Sequence, residues 1–334
     1  MRRHLAAVIA AVAVVLVLSA CGSSSHGHGG SSAAVRRVQP ASLVLDFTPN
    51  AVHVGIYTAL AHHLDRRNGI ALHVEIPGAS TDAISELEAG RVNFAILDIH
   101  DLALARAKGA PIVGILPIVQ RPLAAVIAGP QITSPRQLAG RTVGVTGDPS
   151  DLAVLHSIVT GSGGDPARVR TINIGFNAVA DLISGRIQAA TAFWNDEGVT
   201  LERRKPGFHI FRVDDYGAPS YPELVVCATR AGLKADPSRA RALVKTLTEG
   251  YDEALAHPSA GAHDLESQVS GLDPSLVSAE LPGLEKAFTG PEHHFGVFDM
   301  ALLARWARWE ARFGIVKRTP DVRTMFDAAF SAAP

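Results

Sequence analysis

Cysteine is almost absent from this chain of 334 residues, which has only Cys21 and Cys227. Cys227 lies in the apolar run Leu224-Val225-Val226-Cys227-Ala228, where it reads as a buried structural thiol rather than a nucleophile. Net charge is also nearly absent, at −1 from 31 Lys and Arg against 32 Asp and Glu, and no basic stripe interleaves with aromatics. That combination argues against nucleic acid as a partner. The apolar run from Leu5 to Leu18 is shorter than the roughly 20 residues that span a membrane. Coming after Arg2, Arg3 and His4, it reads as a secretory leader. No Gly-x-Ser-x-Gly elbow, His-Glu-x-x-His pair or paired-cysteine site is present to offer hydrolytic or metal chemistry.

The leader ends in a distinctive sequence. Leu18-Ser19-Ala20-Cys21 resembles the lipobox of bacterial lipoproteins, in which the cysteine is lipidated and becomes the mature N-terminus. By that resemblance residues 1–20 are a signal peptide, Cys21 carries lipid, and no intramolecular disulfide can form with Cys227. Residues 21–40 open with Gly, Ser and His, the composition of a flexible tether. His26 and His28 lack a third fixed ligand there and read as incidental composition rather than a metal site. Roughly 300 residues remain, enough for two lobes around a sizeable core.

Two segments repeat one plan. Thr81 to Leu97 and Ala178 to Phe193 each carry an apolar helical stripe, then Gly-Arg, then a β-branched residue opening an apolar run. Likewise the strand at Leu43-Val44-Leu45 breaks into Asp46-Phe47-Thr48-Pro49-Asn50 before Val52, Ile56, Ala59 and Leu60 recur at helical spacing. Its counterpart is Thr142 to Val145, the turn Thr146 to Ser150, and a helix from about Asp151 to Thr160. Asp148 is placed to cap that helix and Pro149 to occupy its first turn. The repetition predicts an α/β protein of two similar lobes, each a mostly parallel sheet with flanking helices. Ligands of such sheets collect at the carboxyl ends of strands, where both turns belong.

Asp46-Phe47-Thr48-Pro49-Asn50, followed by His53, Gly55 and Tyr57, resembles the D-W-x-P-N-x-x-H-x-G-x-Y motif of solute-binding proteins for the pyrimidine precursor of thiamin. These are type II periplasmic binding proteins serving ABC importers, grouped with the sulfonate and nitrate binders. Gly90-Arg91-Val92, Gly109-Ala110-Pro111 and Gly185-Arg186-Ile187 stand where relatives carry equivalents. Phe47 replaces the family tryptophan, and Asp98-Ile99-His100-Asp101 replaces the usual segment after the second strand. The resemblance implies a discontinuous first lobe, 41–128 with 225–334, and an inserted second lobe, 129–224, with crossovers near Gly129-Pro130 and Pro222-Glu223. It also implies a monomer without cofactor, anchored by lipid to the extracytoplasmic face of the cell membrane and partnered by a permease and an ATPase. The stripe Trp306, Trp309 and Phe313 in Ala301 to Val316 reads as core.

For the ligand cleft, Phe47 and Tyr57 match the motif, and Trp194 follows a strand; Phe176 suits core and cleft equally. Polar candidates are Asn50, His53, Asp98, His100, Gln120, Arg121, Thr146, Asp148, Asn177, Asn195, Glu197 and Glu223. Of these, Asn50, Thr146 and Asp148 also suit helix caps, and His53 a satisfied helix histidine. His293 and His294 read as a loop. Asp98, Asp101, Asp148, Asp151, Glu197 and Glu223 outnumber Arg121, which favours a neutral or weakly basic heteroaromatic over an anion. The rivals are a sulfonate or nitrate binder and a ligand-sensing lipoprotein. A pyrimidine synthase is a further rival, but it needs a pyridoxal-phosphate lysine, and Leu97 or Asp98 stands in that place.

Overall fold

A computed structural model describes residues 38–78, 82–148, 150–290 and 294–331. The leader, Cys21, His26, His28, Pro149 and His293 lie outside the described residues. Among the described residues, ten strands form two five-stranded sheets of one topology. In the first, β1 (Gln39–Val44), β2 (Ile70–Glu75), β3 (Phe94–Asp98) and β4 (Ile112–Val119) are joined by β10 (Leu224–Thr229), in the order β2-β1-β3-β10-β4. In the second, β5 (Ala124–Ala128), β6 (Thr142–Val145), β7 (Arg170–Asn173), β8 (Ala189–Phe193) and β9 (His209–Arg212) run β7-β6-β8-β5-β9. β1 pairs parallel with β2 and β3, and β6 parallel with β7 and β8, whereas β10 and β5 each run antiparallel to both neighbours. Each sheet is thus parallel but for one strand, and that strand is the first one formed after the chain changes sheet.

The strand exchange corrects one boundary. Ala124–Ala128 belongs to the second sheet, so the chain crosses between Val119 and Ala124 rather than near Gly129-Pro130. The return crossing lies between Arg212 and Leu224, a stretch that includes Pro222-Glu223. β4 and β5 are both wholly buried apolar runs, and only Gln120-Arg121-Pro122-Leu123 lies between them. The polar pair Gln120-Arg121 interrupts the apolar run there.

The repeated units form as the periodicity predicts. Helix Asp82–Glu88 precedes β3 and helix Ala178–Ser184 precedes β8. Gly90 and Gly185 take the left-handed backbone (φ +68° and +75°) that reverses the chain after each helix. The final long helix, Met300–Arg312, begins at Asp299, whose carboxylate accepts from Ala301 and Leu302 N–H. Trp306 and Trp309 are buried from it, and Phe313 packs half-buried at its end. Cys227 is wholly buried in the same core, and burial pushes its thiol well above the ordinary value.

Helix Val54–Ala61 crosses Pro237–Ala256 at very close range. A Cβ at Gly55 would run into the Tyr251 ring, and one at Gly250 into the Gly55 carbonyl oxygen. Glycine is required at both positions because nothing larger fits between the backbones. Among the described residues no helix is long and apolar enough to cross a membrane.

Candidate functional site

The carboxyl ends of parallel strands of both sheets, with the amino ends of the antiparallel β5 and β10, face one cleft. It encloses about 790 Å³, part of it open to solvent. Phe47 enters from the turn after β1 and Phe176 from the turn after β7, and their rings meet edge to face at 4.4 Å between centroids. Around them stand six carboxylates: Asp46, Asp98, Asp101, Asp148, Asp151 and Glu197. Thr146, Ser150, Thr191 and Phe193 complete the polar and aromatic lining, which contains no lysine or arginine among the described residues.

Burial sets the protonation of this ring of acids. It raises Glu197 to about 8, with Asp196 adding to the effect, and lifts Asp151 above its ordinary value. Asp98 and Asp101 are pushed well up, by burial first; His100 opposes the rise at Asp98, and Asp98 itself adds to the rise at Asp101. A cleft that holds protonated carboxyls presents donors as well as acceptors. It suits a ring bearing amino groups and ring nitrogens, and offers an anion no lining lysine or arginine among the described residues.

Of the residues singled out in the sequence, Phe47, Phe176, Asp98, Asp101, Thr146, Asp148, Asp151 and Glu197 line this cleft. Asp148 does not occupy the cap position of helix Asp151–Gly161, which Ser150 fills; its carboxylate accepts from the Thr146 hydroxyl at 3.2 Å, two residues too early in the chain to cap. The other candidates serve elsewhere. Asn50 caps the short turn Ala51–His53, its Oδ1 accepting from Val52 N–H at 2.8 Å, while its amide donates to Asp196 at 2.9 Å across the cleft mouth. His53 is fully buried: Nδ1 accepts from Asn50 N–H, so Nε2 carries the proton and donates to Asp46 Oδ1 at 3.0 Å. It therefore aims a cleft carboxylate without facing the cleft. Tyr57 is buried in the first sheet's core, and burial raises its hydroxyl to about 12. The motif residues His53, Gly55 and Tyr57 thus build the frame behind the turn.

His100 is wholly buried, its ring nitrogens bound to Glu310 and, at 2.9 Å, to the Tyr221 hydroxyl. Against burial, which lowers it, Glu310 and Asp98 raise His100 to about 9. Glu223 is also buried and accepts from Leu123 and Ala124 N–H, tying the two crossings together; burial raises it to about 7. Asp98, His100 and Glu223 place ligating atoms within 4.8 Å of one another, the one such group among the described residues. Both His100 nitrogens are already committed, which makes the cluster a hydrogen-bonded network rather than an open metal site.

Gln120 reaches away from the cleft to the carbonyls of Phe288 and His294, each at 2.8 Å. Asn177 donates to Ile174 O at 2.9 Å beside helix Ala178–Ser184. Asn195 is fully buried outside the lining. Trp194 and Arg121 line a different pocket, because Phe193 turns into the cleft and its neighbour faces the other way. Sequence reasoning left out Asp46, Ser150, Thr191 and Phe193 as contacts. All four sit at strand ends or the turns beyond them, the positions the two-sheet plan marks.

Further contacts close the mouth. Ser150 N–H donates to Asp101 at 3.2 Å, and Arg203 to the Ser275 hydroxyl at 2.6 Å, each joining the second sheet's elements to the first's.

Comparison with known proteins agrees with this geometry. The chain is 29% identical over 254 residues to the formylaminopyrimidine-binding protein of Halalkalibacterium halodurans, covering 75% of each chain. It is 25% identical over 163 residues to the 4-amino-5-hydroxymethyl-2-methylpyrimidine phosphate synthase of Legionella pneumophila, covering 48% of this chain and 51% of that one. Its fold matches the alkanesulfonate-binding protein SsuA of Xanthomonas axonopodis pv. citri bound to MOPS, with a TM-score of 0.68, 13% identity, and 87% and 99% of the two chains covered. The two sheets have the periplasmic binding protein fold of that structure. A family model described as NMT1/THI5 like matches residues 50–261, well over half of the chain, and the protein belongs to that family.

Proposed function

We propose that this chain is the extracytoplasmic solute-binding component of an ABC importer and captures a small, flat, neutral or weakly basic heteroaromatic such as an aminopyrimidine. The observation that carries the reading is the cleft itself: two phenyl rings edge to face, six carboxylates and no lining base. A planar ring slides against Phe47 and Phe176, and its amino groups donate to the carboxylates that His53 and the strand ends hold in place. A sulfonate or nitrate would find no lysine or arginine among the described lining residues to balance its charge. The similarity to a formylaminopyrimidine-binding protein supports the same ligand class. Synthase chemistry needs an amine for a Schiff base, and the lining offers none. The contacts across the mouth support a cleft that shuts on its ligand. A lipid at Cys21 would hold the protein beside a membrane permease and its ATPase.

Mass spectrometry of the molecule carried by the purified protein tests the proposal, together with calorimetry using an aminopyrimidine, riboflavin and an alkanesulfonate. An aminopyrimidine is expected to bind tightest; tight sulfonate binding would reject the flat-ring reading while leaving the fold intact.

A further inference from the structure

A second pocket lies beside the first crossing, and its charge is opposite to that of the cleft. It encloses about 630 Å³, part of it open to solvent, and three cations line it: Arg121 on the crossing, Arg212 at the end of β9, and Lys286 on helix Pro274–Thr289. A single carboxylate, Asp214, shares the lining. It leaves a formal surplus of two positive charges, and its nearest oxygen is 3.8 Å from the Arg121 guanidinium, beyond hydrogen-bond range.

One of the cations rests on an aromatic ring. The guanidinium carbon of Arg212 sits 3.7 Å from the centre of the Trp194 ring, over its face, which holds the group against the indole. The indole is itself fixed, since its N–H donates to Pro122 O at 3.0 Å and a Cβ on Gly283 would lie 2.9 Å from the ring. Burial lowers the Arg212 pKa, and the charge of Arg121 acts in the same direction against Asp214 and Asp215. Walls come from both halves of the fold: Trp194 and Arg212 follow strands of the second sheet, whereas Gly283 and Lys286 belong to a helix tied to the first sheet through the bond from Gln120 N–H to Ala287 O.

We propose that this pocket is a second ligand site, which takes a compact tetrahedral oxyanion of the phosphate or sulfate class and, by bridging the two sheets, favours their closed arrangement. A stacked arginine, a second arginine and a lysine supply fork and point-charge donors to one anion. Such an anion gains contacts from Lys286 only while the second sheet's elements lie against helix Pro274–Thr289, so its binding energy adds to closure. The inference does not depend on which molecule the cleft holds.

Titrating the purified chain with inorganic phosphate, at an ionic strength held constant with chloride, tests it. One saturable site is expected. Arg212→Gln and Arg121→Gln should each weaken it at least tenfold, Arg212→Lys should retain part of the affinity, and Asp214→Asn should tighten it several-fold. Arg121 is half exposed, so its variant keeps the fold even if removal of the stacked Arg212 disturbs it. Non-saturating heats, or affinity unchanged in both glutamine variants, would overturn the site. Small-angle scattering at saturating phosphate should show a smaller radius of gyration, and an unchanged radius would overturn the coupling to closure.

Discussion

Phe47 is the residue on which the flat-ring reading turns. Its ring meets that of Phe176 from the opposite sheet edge to face, so truncation removes apolar burial on one side of any bound ring. Phe47→Ala should weaken aminopyrimidine binding by roughly 1 to 3 kcal/mol, about five-fold to more than a hundred-fold, measured by calorimetry. Glu197 permits a test without ligand. Its carboxyl ionises near 4.5 when free and near 8 in the fold, because it is buried and faces Asp196. Between those values the folded chain keeps a proton that the unfolded chain has lost. Stability is therefore full below about pH 4.5 and falls as pH rises toward 8. Glu280, also raised to about 8 by burial first and by Asp196, acts in the same direction. Denaturant unfolding should show a loss on the order of 2 kcal/mol or more across that window, and Glu197→Gln should flatten the curve. A profile identical in the variant would contradict this assignment.

At the scale of elements, the close crossing of helices Val54–Ala61 and Pro237–Ala256 rests on two glycines that leave no room for a methyl group. Gly55→Ala should destabilise by about 1 to 3 kcal/mol, lowering the melting temperature by roughly 2–4 °C per kcal/mol, with little change in the affinity of the chain that remains folded. That crossing also marks where the sequence stops being legible. The strand ends, the repeated helix–glycine–strand units and the acidic character of the cleft could be read from periodicity, since side chains alternate on strands and ligands gather where strands end. The motif could not separate contact from support. Gly55 travels with the cleft residues in sequence, yet it faces Tyr251 on a helix contributed from about 200 positions later, and no local pattern encodes that. The crossing before β5 was obscured for a related reason: two consecutive buried strands look alike whichever sheet they join, and only the polar pair Gln120-Arg121 hints at the break.

For the whole molecule, the proposed lipidation at Cys21 offers the sharpest external test. Cys21→Ser should release the protein into the soluble fraction, because it removes the one cysteine that stands in the lipobox-like sequence. Unchanged membrane association of that variant, measured by fractionation and immunoblotting, would reject lipidation at this site.

The exchange of strands between sheets also sets an order of assembly. Every strand of the second sheet comes from one continuous stretch, Ala124 to Arg212, so all its partners exist once that stretch has emerged. The first sheet cannot be completed then: β10 must insert between β3 and β4, and Phe326 must still pair with Gly114 on β4. Contacts of such long sequence separation form late and slowly. A chain that emerges N-terminus first would therefore hold β1 to β4 with an open gap between β3 and β4 until Leu224–Thr229 appears, after the whole of the second sheet. During that interval the two unpaired edges flanking the gap are the molecule's most aggregation-prone surface, and the continuous second sheet is the first part able to fold.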